Sequence, residues 1–221
     1  MTHRLTLLET VPLTPDVKTY IFDKPDGYSF TPGQATEMAL DRDGWRDEKR
    51  PFTFTSDPDA GILSFTIKSY PDHDGVTEKL PGLVPGDSVL IDDAWGAIED
   101  KGPGVFIAGG AGITPFLGIL RHRERHGSLK GCHLIFANRA PEDIILRPLW
   151  ETLPDLKTTF VVAEGARDGL RKGQVDGSLL DDVVDDFSGR FYLCGPPPME
   201  DAVAELLSER GVSEGNLIRE E

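Results

Sequence analysis

The sequence predicts two domains, an antiparallel β-barrel over residues 1–100 and an α/β domain with a parallel sheet over residues 101–221. Three observations carry that expectation. Six short β-branched or alternating runs fill the first hundred residues with almost no helical period. After Lys101-Gly102-Pro103-Gly104 the rhythm changes to strand–helix alternation, which calls for parallel strands joined by crossovers. The first strand of that second part ends in a glycine-rich turn that leads into a helix.

The barrel strands are expected at 5–8, 17–22, 36–40, 52–55, 63–67 and 88–91, each bounded by Pro, Gly or Asp. In the second half, strands are expected at 105–108, 133–137, 159–162 and 190–193. A helix spans 115–125, and further helical stretches surround Leu149, Leu179 and Val203.

Of 221 residues, 23 are Lys or Arg and 38 are Asp or Glu, for a formal net charge of −15. Such a surface repels a phosphate backbone, so nucleic acid is a poor partner, and an anionic membrane surface is disfavoured for the same reason. The longest apolar run, 105–120, is interrupted by Gly109-Gly110 and Thr114-Pro115 and is too short to span a bilayer. Met1-Thr2-His3-Arg4-Leu5 lacks the apolar segment and cleavage site of a signal peptide. Cys132 and Cys194 are too few for an iron–sulfur cluster, a cysteine-rich zinc site or a disulfide framework, which points to a reducing, cytoplasmic setting. His3, His73, His122, His126 and His133 show no metal-ligand spacing. The basic residues before Gly127 read as a helix C-terminus, and Asp181, Asp182, Asp185 and Asp186 as a solvated helix face.

Four local patterns carry chemistry. In Phe106-Ile107-Ala108-Gly109-Gly110-Ala111-Gly112-Ile113-Thr114-Pro115-Phe116 a strand ends, glycines let the backbone turn, and a helix opens with Pro115 in its first turn. Free amides and the dipole at such an N-terminus suit a pyrophosphate. An ordinary glycine turn explains the same residues, since the pattern departs from Gly-x-Gly-x-x-Gly. Tyr192-Leu193-Cys194-Gly195-Pro196-Pro197-Pro198-Met199 also follows a strand, at the edge where open α/β sheets bind ligands. Here the alternative is a buried structural cysteine. Arg50-Pro51-Phe52-Thr53 brings together a cation for a phosphate, a ring to stack and a hydroxyl to donate, or is a surface arginine beside a strand. Gly75-Val76-Thr77-Glu78-Lys79-Leu80 places a hydroxyl at the opening of a short helix, as a second anion site or a plain N-cap.

In this order along the chain, the four motifs resemble those of the ferredoxin–NADP reductase superfamily. The resemblance covers essentially the whole sequence, including Thr31-Pro32-Gly33-Gln34 and Pro85-Gly86-Asp87. The stretch from His133 through Asn138-Arg139 and on to Asp143-Ile144-Ile145-Leu146-Arg147 is especially similar to the NADH-dependent cytochrome b5 reductase branch. The resemblance implies an FAD-binding barrel followed by an NAD(P)-binding domain, with the two rings meeting in the cleft between them. It implies that Arg50 holds the FAD pyrophosphate, that Pro51 and Phe52 pack at the flavin, and that Thr53 hydrogen-bonds near N5. Gly75, Val76 and Thr77 bind the flavin phosphates. Gly109, Gly110, Gly112 and Thr114 cradle the nicotinamide dinucleotide. Cys194 borders the nicotinamide ring, with Gly195, Pro196 and Met199 in the same loop. Thr53 and Cys194 are then the candidate catalytic residues, and the chemistry is hydride transfer to the flavin followed by release of single electrons.

The sequence departs from the family at Phe52, where a tyrosine is usual, and in the tight spacing of Gly75-Val76-Thr77. It also departs at Ile218-Arg219-Glu220-Glu221, where relatives often carry a final aromatic; Glu221 matches the usual acidic position. Glu164, after the 159–162 strand, stands where NADPH users often have Arg and would repel a 2′-phosphate, which favours NADH. Arg139, Arg167, Arg171 and Lys172 argue the other way. The resemblance implies an electron acceptor, expected to be a redox protein such as a ferredoxin, flavodoxin, haem protein or redox subunit, or a small molecule. The charge of −15 gives no global steering toward an acidic acceptor, although basic residues within 46–50 offer a local docking patch. Two other classes stay open: a non-catalytic flavin or nucleotide sensor, and a flavin reductase that uses free flavin as substrate.

Overall fold

The computed structural model describes residues 1–71, 75–96, 98–167 and 169–220. The sequence readings at His73 and Glu221 lie outside these residues. The chain divides into two compact units, Met1–Glu99 and Asp100–Glu221. No helix among the described residues is long and apolar enough to cross a membrane.

The first unit contains β1 (His3–Pro12), β2 (Val17–Asp23), β3 (Ala35–Leu40), β4 (Arg50–Thr53), β5 (Ile62–Lys68) and β6 (Ser88–Ile91). They form one antiparallel sheet in the order β4-β3-β6-β1-β2-β5. The two-residue period puts Leu5 and Leu7, Tyr20 and Phe22, Met38 and Leu40, and Val89 and Ile91 into one core. Phe54 stacks on Phe30 at 4.3 Å and tilts against Phe65 at 5.0 Å. A bridge from Phe54 to Phe65 brings the ends of the sheet together, so the barrel is nearly closed. The register of β1 on β2 slips between Leu7 and Glu9. The bulge turns Leu8 outward, 48% exposed. The barrel's short helix is α1 (Val76–Lys79).

The second unit contains β7 (Gly104–Gly109), β8 (Cys132–Asn138), β9 (Leu156–Val162), β10 (Leu170–Lys172), β11 (Arg190–Cys194) and β12 (Leu217–Ile218). All pairs are parallel, in the order β10-β9-β8-β7-β11-β12. Its helices are α2 (Thr114–Arg125), α3 (Arg147–Thr152), α4 (Gly177–Val183) and α5 (Pro197–Glu209). Ile107, Ile135, Val161 and Leu193 share a core with Leu180, Val203 and Leu207. Phe106 stacks on Tyr192 at 4.1 Å and meets the edge of Phe116 at 5.4 Å. From β7 the chain builds outward through β8, β9 and β10, then returns to lay β11 on the other side of β7. The strand order therefore reverses between β7 and β11, the place where open α/β sheets form their ligand crevice.

Three expectations change. β10 and β12 are additional short strands. The acidic cluster is not one free helix face: Asp181 bonds Arg210, Asp182 bonds Arg171, and Asp185 and Asp186 lie beyond α4. The basic end of α2 does more than complement the helix dipole. Arg123, 8% exposed, donates to Asp100 Oδ1 from Nη2 at 2.5 Å and from Nε at 3.1 Å, and to the Ser128 carbonyl at 3.0 Å. The Tyr192 hydroxyl accepts from the Lys101 amide and donates to the Gly102 carbonyl, so residues 100–102 are anchored from two sides.

Candidate functional site: a glycine cradle and an exposed barrel strand

β7 delivers Gly109 to the crevice, and the chain turns there into a single-turn 3₁₀ helix, Gly110–Ile113, which runs directly into α2. The opening amides are therefore those of 110–112, earlier than the start expected at Pro115. The Thr114 hydroxyl donates back to the Ala111 carbonyl at 3.1 Å, bracing the turn. Gly110 adopts φ +53°, a left-handed conformation that costs a side-chain-bearing residue about 1–2 kcal/mol. A Cβ on Gly112 would lie 2.5 Å from the carbonyl carbon of Cys194 and 2.7 Å from the amide of Gly195. On Gly109 it would collide with Met199 and lie 2.9 Å from Pro196. Glycine at 109 and 112 thus lets the loops after β7 and β11 lie against each other.

Above these loops lies a cleft of about 470 Å³. Of the predicted residues, Gly109, Gly110, Pro196 and Met199 line it. The remaining lining includes Asn138 at the end of β8 and Pro198, which lie in stretches quoted above without a role of their own, and Arg139, weighed above for a 2′-phosphate. It also includes residues that motif reading did not single out, such as Ala163 after β9 and Gly173-Gln174-Val175 after β10. Their signal was positional, since each follows the C-terminal end of a parallel strand. Both side-chain polar atoms of Asn138 are buried without a hydrogen-bond partner. An unpaired donor and acceptor beside a glycine cradle fit a polar, phosphate-bearing ligand such as a dinucleotide.

Cys194 ends β11, and the three prolines that follow open α5. The Gly195 amide donates to Glu200 Oε1 at 2.7 Å and the Met199 amide to the Pro196 carbonyl at 2.9 Å, which fixes the loop. Burial, with Glu220 and Glu200 adding to it, raises the Cys194 pKa well above that of a free thiol, so Cys194 is a neutral thiol. Burial and Glu200 also raise the Glu220 carboxyl.

Glu164 is exposed, and its amide donates to the Arg139 carbonyl at 2.9 Å. Arg139 Nε donates to Asp143 at 3.1 Å. Asp143 above all, with Glu164 and Glu142, raises the Arg139 pKa. Arg171 is engaged by Asp182. Two of the cations that argued for a 2′-phosphate are therefore already paired.

In the first unit, Arg50 opens β4 with an exposed side chain whose bond goes to the Lys49 carbonyl at 2.7 Å. Among the described residues it has no carboxylate partner. The rest of the expected basic patch is neutralised: Arg46 pairs with Asp41 and Asp43, and Lys49 with Asp92, each at 2.6–2.7 Å. Pro51 and Thr53 alternate with Phe52, which is half-buried against the barrel core. The Thr53 hydroxyl has no partner among the described residues. Thr77 is not the N-cap of α1; Gly75 holds that position, without a side-chain cap. With four residues, α1 has little dipole, and Val76 is buried, so what Gly75, Val76 and Thr77 offer is backbone and one hydroxyl. A guanidinium without a carboxylate partner and an unpaired hydroxyl, both among the described residues of β4, fit a phosphate-bearing ring cofactor such as FAD. Among the described residues, no three His, Cys, Asp or Glu side chains gather as a metal site.

Residues 106–205 match the oxidoreductase NAD-binding domain family. The chain is 31% identical over 226 residues to the reductase component of propane 2-monooxygenase from Rhodococcus jostii, covering 94% of this chain and 60% of that protein. It is 30% identical over 236 residues to NADH-cytochrome b5 reductase 2 from Mycosarcoma maydis, covering 96% and 66%. It thus spans about two thirds or less of the length of these relatives. Among solved structures it resembles a ferredoxin NADP+ reductase from Neisseria gonorrhoeae with bound FAD and NADP. The TM-score there is 0.87 at 21% identity, covering 99% of this chain and 97% of that one, a likeness of fold. Barrel, parallel sheet and glycine cradle thus have the fold of a ferredoxin NADP+ reductase, residues 106–205 carry the oxidoreductase NAD-binding domain, and the sequence relatives are reductases.

Proposed function

We propose that this chain is a cytoplasmic FAD-dependent reductase that takes hydride from NADH in preference to NADPH and passes electrons singly to a redox partner. The observation that carries the reading is the cradle at the β7–β11 switch point, where side chains on Gly109 and Gly112 would fill the space against the Cys194 loop. When bound, FAD supplies the conversion between two-electron and one-electron chemistry. The chain's own residues bind and orient. Arg50 neutralises a flavin phosphate, Thr53 donates a hydrogen bond to the ring, and Gly75, Val76 and Thr77 contact the phosphates. Pro51 and the accessible part of Phe52 contact the ring. Gly109, Gly110, Gly112 and Thr114 shape the dinucleotide site, while Gly195, Pro196 and Met199 close its far wall. Cys194, held neutral, packs at the nicotinamide without adding charge. Glu164 receives the ribose hydroxyls and repels a 2′-phosphate.

The named relatives that are reductase components of oxygenase systems support a protein acceptor, either an oxygenase component or a ferredoxin-like carrier. The test is anaerobic stopped-flow reduction of the FAD-reconstituted chain with each nucleotide, followed by acceptor titration. Bleaching of bound flavin, faster with NADH than with NADPH, is the expected result. Nucleotide binding without bleaching would leave a sensor, and turnover only with excess free flavin would leave a flavin reductase.

A further inference from the structure

Trp95 is among the exposed large hydrophobic residues, 44% accessible, yet its backbone is firmly held. The Ala35 amide donates to the Trp95 carbonyl at 2.6 Å, and the Trp95 amide donates to the Ala35 carbonyl at 2.8 Å. Gly96, at φ +136°, packs its backbone so closely that a Cβ there would lie 3.4 Å from both the Ala35 amide nitrogen and Gln34 Cα. A fixed backbone presenting a large exposed aromatic is an arrangement that hydrophobic burial alone does not produce.

The pairing shows which way the indole is presented. Ala35 bridges Trp95 on one side and pairs with Thr53 on the other. Directly opposed residues of an antiparallel sheet project from the same face, so Thr53, Ala35 and Trp95 share one face. Their neighbours confirm the alternation, because Phe52 and Ala94 pack against the barrel core. Ala35 spends both its backbone groups on Trp95, so its pairing with Thr53 is of the close, non-hydrogen-bonded kind. The Cα atoms of Thr53 and Trp95 are therefore roughly 10 Å apart, the sum of one wide and one narrow pair. Ala35 between them is small and 4% exposed.

We propose that the Trp95 indole forms a wall of the flavin site, in van der Waals contact with the isoalloxazine ring whose edge Thr53 meets. The inference rests on the reading of Thr53 as a flavin contact. It names a second aromatic surface for a ring whose other stacking residue, Phe52, is half committed to the core. Trp95 is a positioning and environment residue here, not a proton or hydride carrier.

An indole touching a flavin quenches its emission by photo-induced electron transfer, which requires contact, and phenylalanine cannot do this. The experiment compares FAD stoichiometry by gel filtration, and bound-flavin fluorescence, for the wild-type chain, Trp95→Phe and Trp95→Leu, with circular dichroism as the check on folding. The expected result is near-equal FAD content, nearly dark flavin in the wild type, and emission at least fivefold brighter in both variants. Equal flavin emission in all three folded proteins at equal FAD content would overturn the assignment while leaving the FAD reading intact. If reduction of a protein acceptor fell in that case, Trp95 would instead belong to a docking surface, which also overturns the assignment. A wild-type chain that binds no FAD would overturn both readings. If the variants lose FAD, contact is supported when wild-type holoprotein is dark and free indole added to the reconstituted Trp95→Leu protein restores quenching. It is overturned when the wild-type holoprotein is bright.

Discussion

Gly112 lies in the 3₁₀ turn after β7 and Cys194 at the end of β11, yet a side chain on the first would overlap the backbone of the second, with its Cβ 2.5 Å from the Cys194 carbonyl carbon. The loop after β7 and the loop after β11 thus form one object, and the shape of the nucleotide cleft depends on their contact. Gly112→Ala must push these backbones apart. Overpacking of this kind costs about 1–3 kcal/mol. The expected outcome is a lower denaturation midpoint together with weaker NADH binding by calorimetry. Gly110→Ala separates strain from collision, since nothing lies within 4 Å of a Cβ there and only the positive φ is penalised. It should lose about 1–2 kcal/mol of stability, and an equal loss of cleft shape in both variants would refute the collision argument.

Arg50 has an exposed side chain bonded to its neighbour's carbonyl, so its removal leaves the barrel intact. Arg50→Ala is expected to weaken FAD binding by about 1.5–3 kcal/mol, the worth of a charge-assisted hydrogen bond. Equilibrium dialysis at low and moderate salt measures it. Unaltered affinity would remove Arg50 from the phosphate site.

Glu164 and Asp143 together surround Arg139 with negative charge. Glu164→Arg should shift the NADPH/NADH preference toward NADPH by on the order of tenfold, because a guanidinium bonds the 2′-phosphate that a carboxylate repels. Steady-state kcat/KM for both nucleotides is the readout, and a constant ratio would retire the role.

Cys194→Ser replaces a partly buried neutral thiol by a smaller, more polar hydroxyl at the end of β11. The fold should persist while the rate of flavin reduction by NADH falls, as followed by single-turnover absorbance. An unchanged rate would take Cys194 away from the reacting ring.

His133 is 7% exposed, and its Nε2 lies 2.9 Å from the Thr159 hydroxyl. Burial first, with Lys157 adding to it, pushes its pKa from 6.5 down to about 4. An unfolded chain takes up this proton near pH 6.5, whereas the folded chain does not until about pH 4. Stability from this residue is therefore complete above pH 6.5 and declines as pH falls toward 4. Urea unfolding should show a deficit of about 2 kcal/mol at pH 5 relative to pH 7, and His133→Gln should flatten that difference. Asp16 and Asp92, lowered by Lys68 and Lys49, lose their contribution only below the usual carboxylate range, so the two windows separate.

The barrel strands were legible because side chains at alternating positions enter one core, and Leu5 with Leu7 or Tyr20 with Phe22 announce that period locally. Strands too short to show any period were not. Leu170-Arg171-Lys172 has one apolar residue, and Leu217-Ile218 has no room for alternation. The glycine cradle and the Cys194 loop could be read because their residue types follow from close backbone approach. Asn138 could not, since its role depends on the absence of a partner, which spacing does not encode. The basic patch within 46–50 misled for a related reason: Asp41 lies near in sequence, but Asp92 reaches Lys49 only through the β3–β6 pairing.

The parallel sheet ends in three residues of β10 on one side and two of β12 on the other. Arg171 and Lys172 occupy the first of these borders, with Arg171 tethered to Asp182. Among the described residues, neither border gives a foreign β-segment a long, flat, uncharged template along which to zip. Crowded copies of this chain accordingly lack, on this sheet, the seed from which fibrillar aggregates grow, and its apolar interior strands stay enclosed between two brief, guarded rims.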